Sequence, residues 1–490
     1  PLRRQRQMCI RDRFIAGFVG IFAFAPFSIK ILIFLSYGYL AHVIINQSKH
    51  QFAQVFSWGL GHWGFGMSWI IVSVYYYGET SILLSSLIHV LLTIILTLVF
   101  TCPLLLLILL KKYINQESNS LKILFVASFF MISEISREYL LNGVPWLIPG
   151  NIYLDTIGQN IYPYLGASFA SYVIYLLTAA LVISGRNNKI PIANLVIVLF
   201  TLIPQNNDTV SEGDILVSII QPSSDPFLKY KDNYYLDIES NLLSLINNTS
   251  EDTDLIVIPE AELPYPINDM RFSKFIDRTN SANKILLGAW FFNDAKLFNT
   301  IYNPENKNIY KKQHLVPFGE YIPFFTSLRG LISFFDLPMS NVAFGPNDQK
   351  NIIVLDNVNV ATPICFDVAF PETIRKMNKS SLLMINISND TWFGSSIGPY
   401  HHLSITRVRA IENNRWIIRA TNNGFSAIID NKGTIVEILD QNVSNVLESK
   451  VKLVEHASIF NKFGYMFNYF FSFIIILLFI ARALWKKLKN

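Results

Sequence analysis

Charged residues are scarce in this chain of 490 residues. Asp, Glu, Lys and Arg together make up 15% of it, against about 25% in an average soluble domain. Hydrophobic residues make up 51%, and the mean hydropathy is +0.34. This balance excludes a disordered chain and an ordinary cytosolic enzyme, because both carry more charge and fewer apolar residues. The composition favours a membrane protein.

Cysteine is also rare. The three cysteines, Cys9, Cys102 and Cys365, are far apart, and none belongs to a CxxC pair. We therefore expect no disulfide framework, no zinc or other metal site, and no cofactor. The net charge of +5 is scattered along the chain rather than gathered in a compact basic stripe, so we expect no nucleic-acid partner.

Long apolar runs fill the first 204 residues and return near the end of the chain. A membrane-spanning helix needs about 20 mostly apolar residues. The candidate spans are 14–27, 29–46, 57–77, 82–110, 121–141, 160–184, 190–204 and 466–484. The chain is thus divided into a basic prefix (1–13), a membrane domain of about seven helices (14–204), a globular domain (205–463) and a closing span with a basic tail (464–490).

The positive charges predict an orientation, because Lys and Arg favour loops on the cytoplasmic side. They stand before the first candidate span and after the second, fourth, sixth and eighth, whereas the gaps 78–81 and 142–159 have none. With eight spans, both termini would face the cytoplasm and the globular domain would lie outside it.

Short apolar runs in the globular domain are typical of buried strands that alternate with helices. They are 214–220, 255–258, 285–287, 352–355, 358–364 and 382–387, and a helical pattern occupies 404–414. This arrangement predicts a layered α/β domain.

Three strand-like runs lead into residues with useful chemistry: Glu260, Lys312 and Cys365. Side chains at strand ends can meet at one edge of a sheet, where α/β enzymes keep their sites. A carboxylate can deprotonate a thiol, the thiolate can act as nucleophile, and an ammonium can stabilise an oxyanion. On residue type and spacing alone, the ordinary interpretation is a surface carboxylate, a solvated lysine and a core thiol.

Longer motifs surround these residues. They are KQHLVPFGE at 312–320, PE at 259–260, NISNDTWFG at 386–394, GPYHH at 398–402, RVRA at 407–410 and TNNG at 421–424, with FAP at 24–26, EISR at 134–137 and PWL at 145–147 in the membrane half. Together they resemble the apolipoprotein N-acyltransferases, membrane-bound members of the nitrilase superfamily. The resemblance covers nearly all of the chain after Arg13. It implies an α-helical transmembrane bundle of about eight spans plus a nitrilase-like α/β domain, an α-β-β-α sandwich.

The resemblance also implies residue roles. Cys365 would be the acylated nucleophile, Glu260 its base, Lys312 the oxyanion-stabilising lysine and Glu320 a second acid that orients this lysine. The sequence departs from the family pattern at three supporting positions. Phe366 and Asp367 stand where Tyr and Glu are common, and Tyr230 stands where Trp is frequent.

Other residues have an expected substrate or lid role, with ordinary packing as the alternative. They are Tyr230, Trp392, Phe393 and His402, together with the apolar loop residues Phe324, Phe325, Phe334, Phe335, Leu337 and Met339. Glu134 and Arg137 are one helical turn apart in a candidate span. They could pair and support a polar cavity, because ionisable residues inside a membrane need a partner.

The function implied by the resemblance is two-step acyl transfer at the periplasmic face of a bacterial inner membrane. An acyl chain would pass from a phospholipid, expected to be phosphatidylethanolamine, through a Cys365 thioester to the α-amine of a lipoprotein's diacylglyceryl-cysteine. We expect a monomer. A membrane-bound amidase or phospholipase with the same three residues is the alternative, and an inert outer domain on a transporter or assembly protein is a second.

Overall fold

A computed structural model describes residues 2–46, 50–77, 80–114, 117–184, 189–205, 213–231, 233–279, 281, 284–317, 319–321 and 342–489. These residues form two compact units. The helical unit comprises the described residues within Pro1–Ile71, Ser86–Asn206 and Phe463–Asn490. The α/β unit comprises those within Val72–Ser85 and Asn207–Lys462.

The membrane half and the end of the chain are helical. The helices are α1 (Leu2–Gly20), α2 (Ile31–Asn46), α3 (Gln51–Gly66), α4 (Trp69–Val72), α5 (Ile82–Ile114), α6 (Asn119–Tyr139), α7 (Tyr162–Ile183) and α8 (Lys189–Thr201), with a last helix at Met466–Lys489. Among the described residues, three segments are both long and apolar enough to cross a membrane: Ile82–Lys111, Asn119–Tyr139 and Ile157–Ile183. Shorter apolar helices lie at Ile31–Asn46, Ile192–Thr201 and Met466–Arg482.

Two expected boundaries differ from the structure. Helix α1 begins at Leu2 and runs through the basic residues that the composition sets apart as a prefix, because Arg, Gln, Leu and Met are good helix formers. The expected span 57–77 is not one helix, since α3 ends at Gly66 and Met67 has non-helical backbone angles. This segment is rich in glycine, which weakens a helix.

Glycine has a packing role where α1 meets α3. A Cβ atom on Gly17 would lie 2.0 Å from the carbonyl oxygen of Trp58, and one on Gly61 would lie 2.0 Å from that of Phe14. The two helix backbones are therefore in direct contact, and a larger residue at either position would force them apart.

The α/β unit alternates strands and helices. Its strands are β1 (Ile215–Gln221), β2 (Leu255–Ile258), β3 (Ile285–Asn293), β4 (Lys296–Tyr302), β5 (Ile309–Lys311), β6 (Ile352–Val354), β7 (Val358–Ala361), β8 (Leu383–Ser388), β9 (Ile417–Thr421), β10 (Ser426–Ile429), β11 (Ile435–Leu439) and β12 (Asn445–Val451). Its helices are α9 (Tyr234–Asn247), α10 (Met270–Arg278), α11 (Pro371–Met377), α12 (Gly398–Asn413) and α13 (Ile459–Phe463); α14 is the last helix of the chain, Met466–Lys489.

The described strands form two six-stranded sheets, in the orders β12-β1-β2-β3-β4-β5 and β11-β10-β9-β8-β7-β6. Strands β1, β2 and β3 are mutually parallel, as are β7, β8 and β9. Within each sheet, the carboxyl ends of the three parallel strands therefore lie at the same edge, and the segments that follow these strands are side by side.

The side chains of β1 and β2 alternate between two cores. Val217 and Val257 belong to a core shared with β8 and β9 of the other sheet. Ile220 and Ile256 face the other way and pack with Leu242 of α9 and with residues of α10. Both faces of the first sheet are thus covered, and the apolar runs of its strands follow from this. Helices α9 and α10, the first sheet and the second sheet are thus successive layers of the α/β unit.

Candidate active site

The candidate residues come from both sheets. Glu260 follows β2 after Pro259, and Lys312 directly follows β5. The strand expected at 358–364 is shorter than predicted, because β7 ends at Ala361. Pro363 cannot donate a ladder hydrogen bond, and the chain rejoins the sheet only through a single bridge between Ile364 and Ile387. Cys365 follows immediately and opens a short 3₁₀ helix.

Lys312 lies between two carboxylates. Its Nζ is 2.9 Å from Oε1 of Glu260 and 2.9 Å from Oε1 of Glu320, and the residue is 1% exposed. Burial alone would lower the pKa of the Lys312 ammonium, but the two carboxylates outweigh it and raise the pKa well above its ordinary value. The lysine is therefore a fixed positive charge at neutral pH.

Glu260 accepts hydrogen bonds at both oxygens. Its Oε1 accepts from Lys312 and from Nδ2 of Asn299, the latter at 2.6 Å. Its Oε2 accepts from the backbone N–H of Asn389 at 2.7 Å. Asn299 also donates to Glu320 at 3.1 Å, so one amide bridges the two acids. The carboxylate of Glu260 is thus held in one orientation by three separate elements.

Cys365 is 7% exposed and has a left-handed backbone with φ of 47°. Burial raises the pKa of its thiol above the ordinary value; the charge of Glu260 adds to this, and Lys312 opposes it. The thiol is therefore protonated at neutral pH, and it needs a base before it can act as a nucleophile.

Asp367 organises the backbone before Cys365. Its Oδ1 accepts from the backbone N–H of His314 at 2.7 Å, and its Oδ2 accepts from that of Ile364 at 3.2 Å. The Tyr310 hydroxyl donates to Oδ2 at 3.1 Å. Burial raises the pKa of Asp367 to about 7, although Lys312 and these donors act against it. Asp367 thus fixes the backbone that leads to Cys365, and none of these hydrogen bonds involves the Cys365 thiol.

The other residues of the α/β unit that were expected to support the site or to form a lid differ in how deeply they are buried. Phe366 is buried and meets Phe370 edge-on, with ring centroids 5.2 Å apart. Tyr230 is 43% exposed. Phe393 is buried with its ring edge-on to His402 at 5.7 Å, and Trp392 is partly buried, with its carbonyl bound by Ser73.

His402 is buried in the α/β unit. Its Nε2 is 3.1 Å from the backbone carbonyl oxygen of Cys365, inside the domain. The lid expected around Phe324, Phe325, Phe334, Phe335, Leu337 and Met339 lies outside the described residues.

Glu134 and Arg137 lie buried in the helical unit, as expected for an intramembrane polar site. Each has its own partner. The Tyr175 hydroxyl donates to Glu134 at 2.7 Å, and Arg137 donates to the carbonyl of Trp146 at 2.8 Å. The Arg137 guanidinium also lies 4.5 Å from the centroid of the Trp63 ring, a cation–π contact.

Sequence reasoning did not single out several site residues. They are Lys229, Glu262, Asn299, Ser388, Asp390 and Arg419. Asp390 belongs to the quoted NISNDTWFG motif, so the motif already pointed to it. No sequence feature marks Lys229 or Asn299, because a single polar residue outside a motif is ordinarily predicted to be solvent-exposed.

Two family models match the chain. One, described as the apolipoprotein N-acyltransferase N-terminal domain, matches residues 16–180, and another, described as carbon-nitrogen hydrolase, matches residues 216–459. Similar curated proteins are named apolipoprotein N-acyltransferase. The protein from Pasteurella multocida is 31% identical over 94% of this chain and 93% of its own length. The protein from Pseudomonas aeruginosa (strain LESB58) is 34% identical, over 89% of this chain and 88% of its own length.

Among solved structures, the C. elegans NitFhit protein is 19% identical to this chain. The match covers 50% of this chain and 62% of that protein's chain, with a TM-score of 0.36.

Proposed function

The chain belongs to the apolipoprotein N-acyltransferase family, and on this premise we propose that Cys365 carries the acyl group between two membrane-anchored substrates. The enzyme is an acyltransferase. The donor is a phospholipid and the acceptor is a lipoprotein whose N-terminal cysteine already bears a diacylglyceryl group. The observation that carries the proposal is the buried Lys312, held between Glu260 and Glu320 at 2.9 Å, with its charge acting on the Cys365 thiol.

In the first step, Glu260 takes the proton of the Cys365 thiol, and the sulfur attacks the ester carbonyl of the phospholipid. The ammonium of Lys312 stabilises the oxyanion that forms. The C–O bond of the ester breaks, and Glu260 returns the proton to the departing oxygen. The products are a lysophospholipid and a Cys365 thioester.

In the second step, the α-amine of the lipoprotein attacks the thioester carbonyl. Glu260 accepts a proton from the nitrogen, Lys312 again stabilises the oxyanion, and the C–S bond breaks. The thiolate regains the proton, and the acyl chain is now an amide on the lipoprotein. A thioester retains enough reactivity for an amine acceptor, and the burial of Cys365 limits access of water.

We place residues 205–463 on the periplasmic side of the bacterial inner membrane, with about eight helices holding them there and phosphatidylethanolamine as the acyl donor of a monomeric enzyme. The apolar helices and the positive charges at alternate loops support this placement. Both substrates are confined to the membrane surface, so an enzyme anchored beside them replaces a three-dimensional search by positioning.

Purified full-length protein in detergent, given phosphatidylethanolamine with a labelled acyl chain and a diacylated lipopeptide, tests the proposal. We expect a triacylated lipopeptide, and without lipopeptide a labelled protein that hydroxylamine, which cleaves thioesters, releases. Free labelled fatty acid as the main product would instead identify the amidase or phospholipase alternative. Label retained on Cys365→Ala protein would overturn the assignment of the nucleophile.

A further inference from the structure

Two residues beside the proposed catalytic groups share an unusual backbone conformation. Ala261 has φ of 46° and Cys365 has φ of 47°, and neither is glycine. Ala261 directly follows Glu260, and Cys365 is itself the proposed nucleophile. Left-handed backbone at a residue with a Cβ costs free energy and persists only where the surroundings fix it.

Cys365 is held through its carbonyl oxygen. His402 Nε2 lies 3.1 Å from this oxygen, and since a carbonyl can only accept, the imidazole donates. On its other side, His402 Nδ1 lies 3.0 Å from Oδ1 of Asp390. Arg419 donates to Oδ2 of Asp390 at 2.7 Å. All three side chains are buried.

The charge of Asp390 is secure. Burial alone would favour the neutral acid, but Arg419 and His402 outweigh it and hold the pKa of the carboxyl well below its ordinary range. Burial lowers the pKa of His402, so the neutral imidazole has its proton on Nε2, and Nδ1 accepts from Arg419 at 3.1 Å. Asp390 holds Arg419, and Arg419 in turn fixes the orientation of the imidazole.

Ala261 is held in a matching way. Lys229 donates from Nζ to the carbonyl oxygen of Ala261. The same Nζ lies 3.9 Å from Oε2 of Glu262, and Asn422 donates to this carboxylate oxygen. Lys229 and Glu262 are buried. The two sites are thus built alike. At each, a side chain donates to the carbonyl oxygen of the left-handed residue, a carboxylate lies beside that side chain, and a second side chain donates to the carboxylate.

The two arrangements converge on one strand. Arg419 belongs to β9, and Asn422 follows the end of that strand by one residue. The backbone N–H of Asn422 donates to the carbonyl of Ser388 at 3.2 Å, and the Ser388 hydroxyl donates to Oδ1 of Asp390 at 2.7 Å. The arrangement at Cys365 and the arrangement at Ala261 are therefore joined through β9 and Ser388.

We infer that His402 and Lys229 are positioning residues, which fix Cys365 and Glu260 through the carbonyl oxygens of Cys365 and Ala261. This inference rests on the roles proposed above for Glu260 and Cys365. If a donor is removed, the left-handed residue is free to relax, and the neighbouring reactive group moves. A misplacement of about 1 Å costs about 100-fold in rate.

The test measures single-turnover formation of the Cys365 thioester from labelled phosphatidylethanolamine by full-length protein. His402→Leu and Lys229→Met remove the donors, whereas His402→Gln and Lys229→Arg retain one. We expect the first pair to slow acylation by about 10- to 100-fold at saturating donor, with half-saturation changed less than about twofold, and the second pair to recover most of the loss.

Arg415→Met is the matched control. Arg415 is also buried and also donates to backbone carbonyls, at Ser381 (2.8 Å) and His456 (3.0 Å). It precedes β9 and Ser381 precedes β8, so it lies at the edge of the sheet opposite to Cys365. We expect this variant to lower the melting temperature but to leave the acylation rate of the folded protein unchanged.

A double-mutant comparison separates positioning from general damage. Lys229 acts through Glu260, so Lys229→Met should have less than about a twofold effect in a Glu260→Gln background, whereas His402→Leu should still slow acylation there. Wild-type acylation rates in folded His402→Leu and Lys229→Met protein would overturn the inference. So would full additivity of Lys229→Met with Glu260→Gln. Neither result touches the proposed function, which fails if Cys365→Ala still takes up label or if free fatty acid is the main product.

Discussion

Lys312 and Glu320 form a buried ion pair, with Nζ of the lysine 2.9 Å from Oε1 of the acid. Glu320 Oε2 also accepts from the backbone N–H of Val316 at 2.9 Å, so the acid ties the lysine to its own loop. Glu260 binds the same Nζ from the other side. One of the two acids can therefore take part in proton transfer while the other keeps the lysine in place.

Removing Glu320 is expected to destabilise the protein and slow the reaction. Glu320→Ala leaves the buried lysine with a single carboxylate, and breaking a buried ion pair costs about 3–5 kcal/mol. Glu320→Gln keeps one acceptor oxygen for Lys312 and should cost less. Thermal unfolding and single-turnover acylation of both variants measure these effects. Equal stability of Glu320→Ala and the wild type would contradict the structural role of the pair.

Cys365 is expected to be the only cysteine that acylation requires. Cys102 is exposed on the apolar helix α5, and Cys9 belongs to the basic first segment of the sequence, away from the motifs that surround Cys365. Cys365→Ala should abolish the labelled thioester, and the double variant Cys9→Ala/Cys102→Ala should form it at the normal rate. Loss of labelling in the double variant would show that a second cysteine takes part.

Glu260 and Lys312 should give different pH profiles. Glu260→Gln cannot accept the thiol proton, so acylation must use the small thiolate fraction. Because burial raises the pKa of the Cys365 thiol, this fraction grows with pH, by about tenfold per unit below the pKa. The rate of Glu260→Gln should therefore climb steadily from pH 6 to about 9.

Lys312→Met should instead lose transition-state stabilisation at every pH, by about 2.7–4 kcal/mol if the lysine acts like an oxyanion-hole donor. Loss of the lysine also removes the charge that opposes the rise in the thiol pKa, so no recovery is expected within the measured range. Single-turnover acylation decides between the profiles. Parallel curves for the two variants would mean that the roles are wrongly divided.

Asp367 should make the folded protein less stable as the pH rises from about 4 to about 7. Burial raises its pKa to about 7 in the folded state, whereas an exposed Asp titrates near about 3.9. Between these values the folded state binds more protons than the unfolded state, so stability falls with increasing pH and is highest below this window. Melting temperatures of Asp367→Asn across pH 4–8 should vary less than those of the wild type. An unchanged slope would show that another group dominates.

The periplasmic placement of residues 205–463 can be tested by proteolysis. Protease added to right-side-out vesicles should cut within this segment, and inverted vesicles should protect it. The loop charges motivate this expectation. Protection in right-side-out vesicles with cleavage in inverted ones would mean that the number of spans before residue 205 is even rather than odd.

Most of the strands that carry the site could be predicted from the sequence, because buried parallel strands are continuous apolar runs. β2 and β8 are such runs, and both lie within a residue of the expected bounds. β9 was not anticipated, since its sequence includes Arg419 and Thr421, which are buried among polar partners rather than apolar ones. The pattern alone cannot show that a charged residue has a partner 29 positions away, as Arg419 has in Asp390.

The helical half was harder to predict in detail. Composition places the apolar segments but not their ends, because loops and helices in this region are equally apolar. α3 ends at Gly66, well inside the run 57–77, and α8 has 13 residues. The positioning role of Lys229 and His402 was missed for a different reason: it depends on the backbone conformation of Ala261 and Cys365, which no residue pattern near the two donors reveals.

The first and last strands of the α/β unit are neighbours. β12 pairs with β1, with Ile215 opposite Val451, and the N–H of Asp214 donates to the carbonyl of Val451 at 2.8 Å. The segment that bears Glu260, Lys312 and Cys365 therefore starts and finishes at nearly the same point. A domain whose two ends are adjacent can be inserted into another chain at a single site without a change in either sheet. It can also be circularly permuted, with new termini in one of its loops.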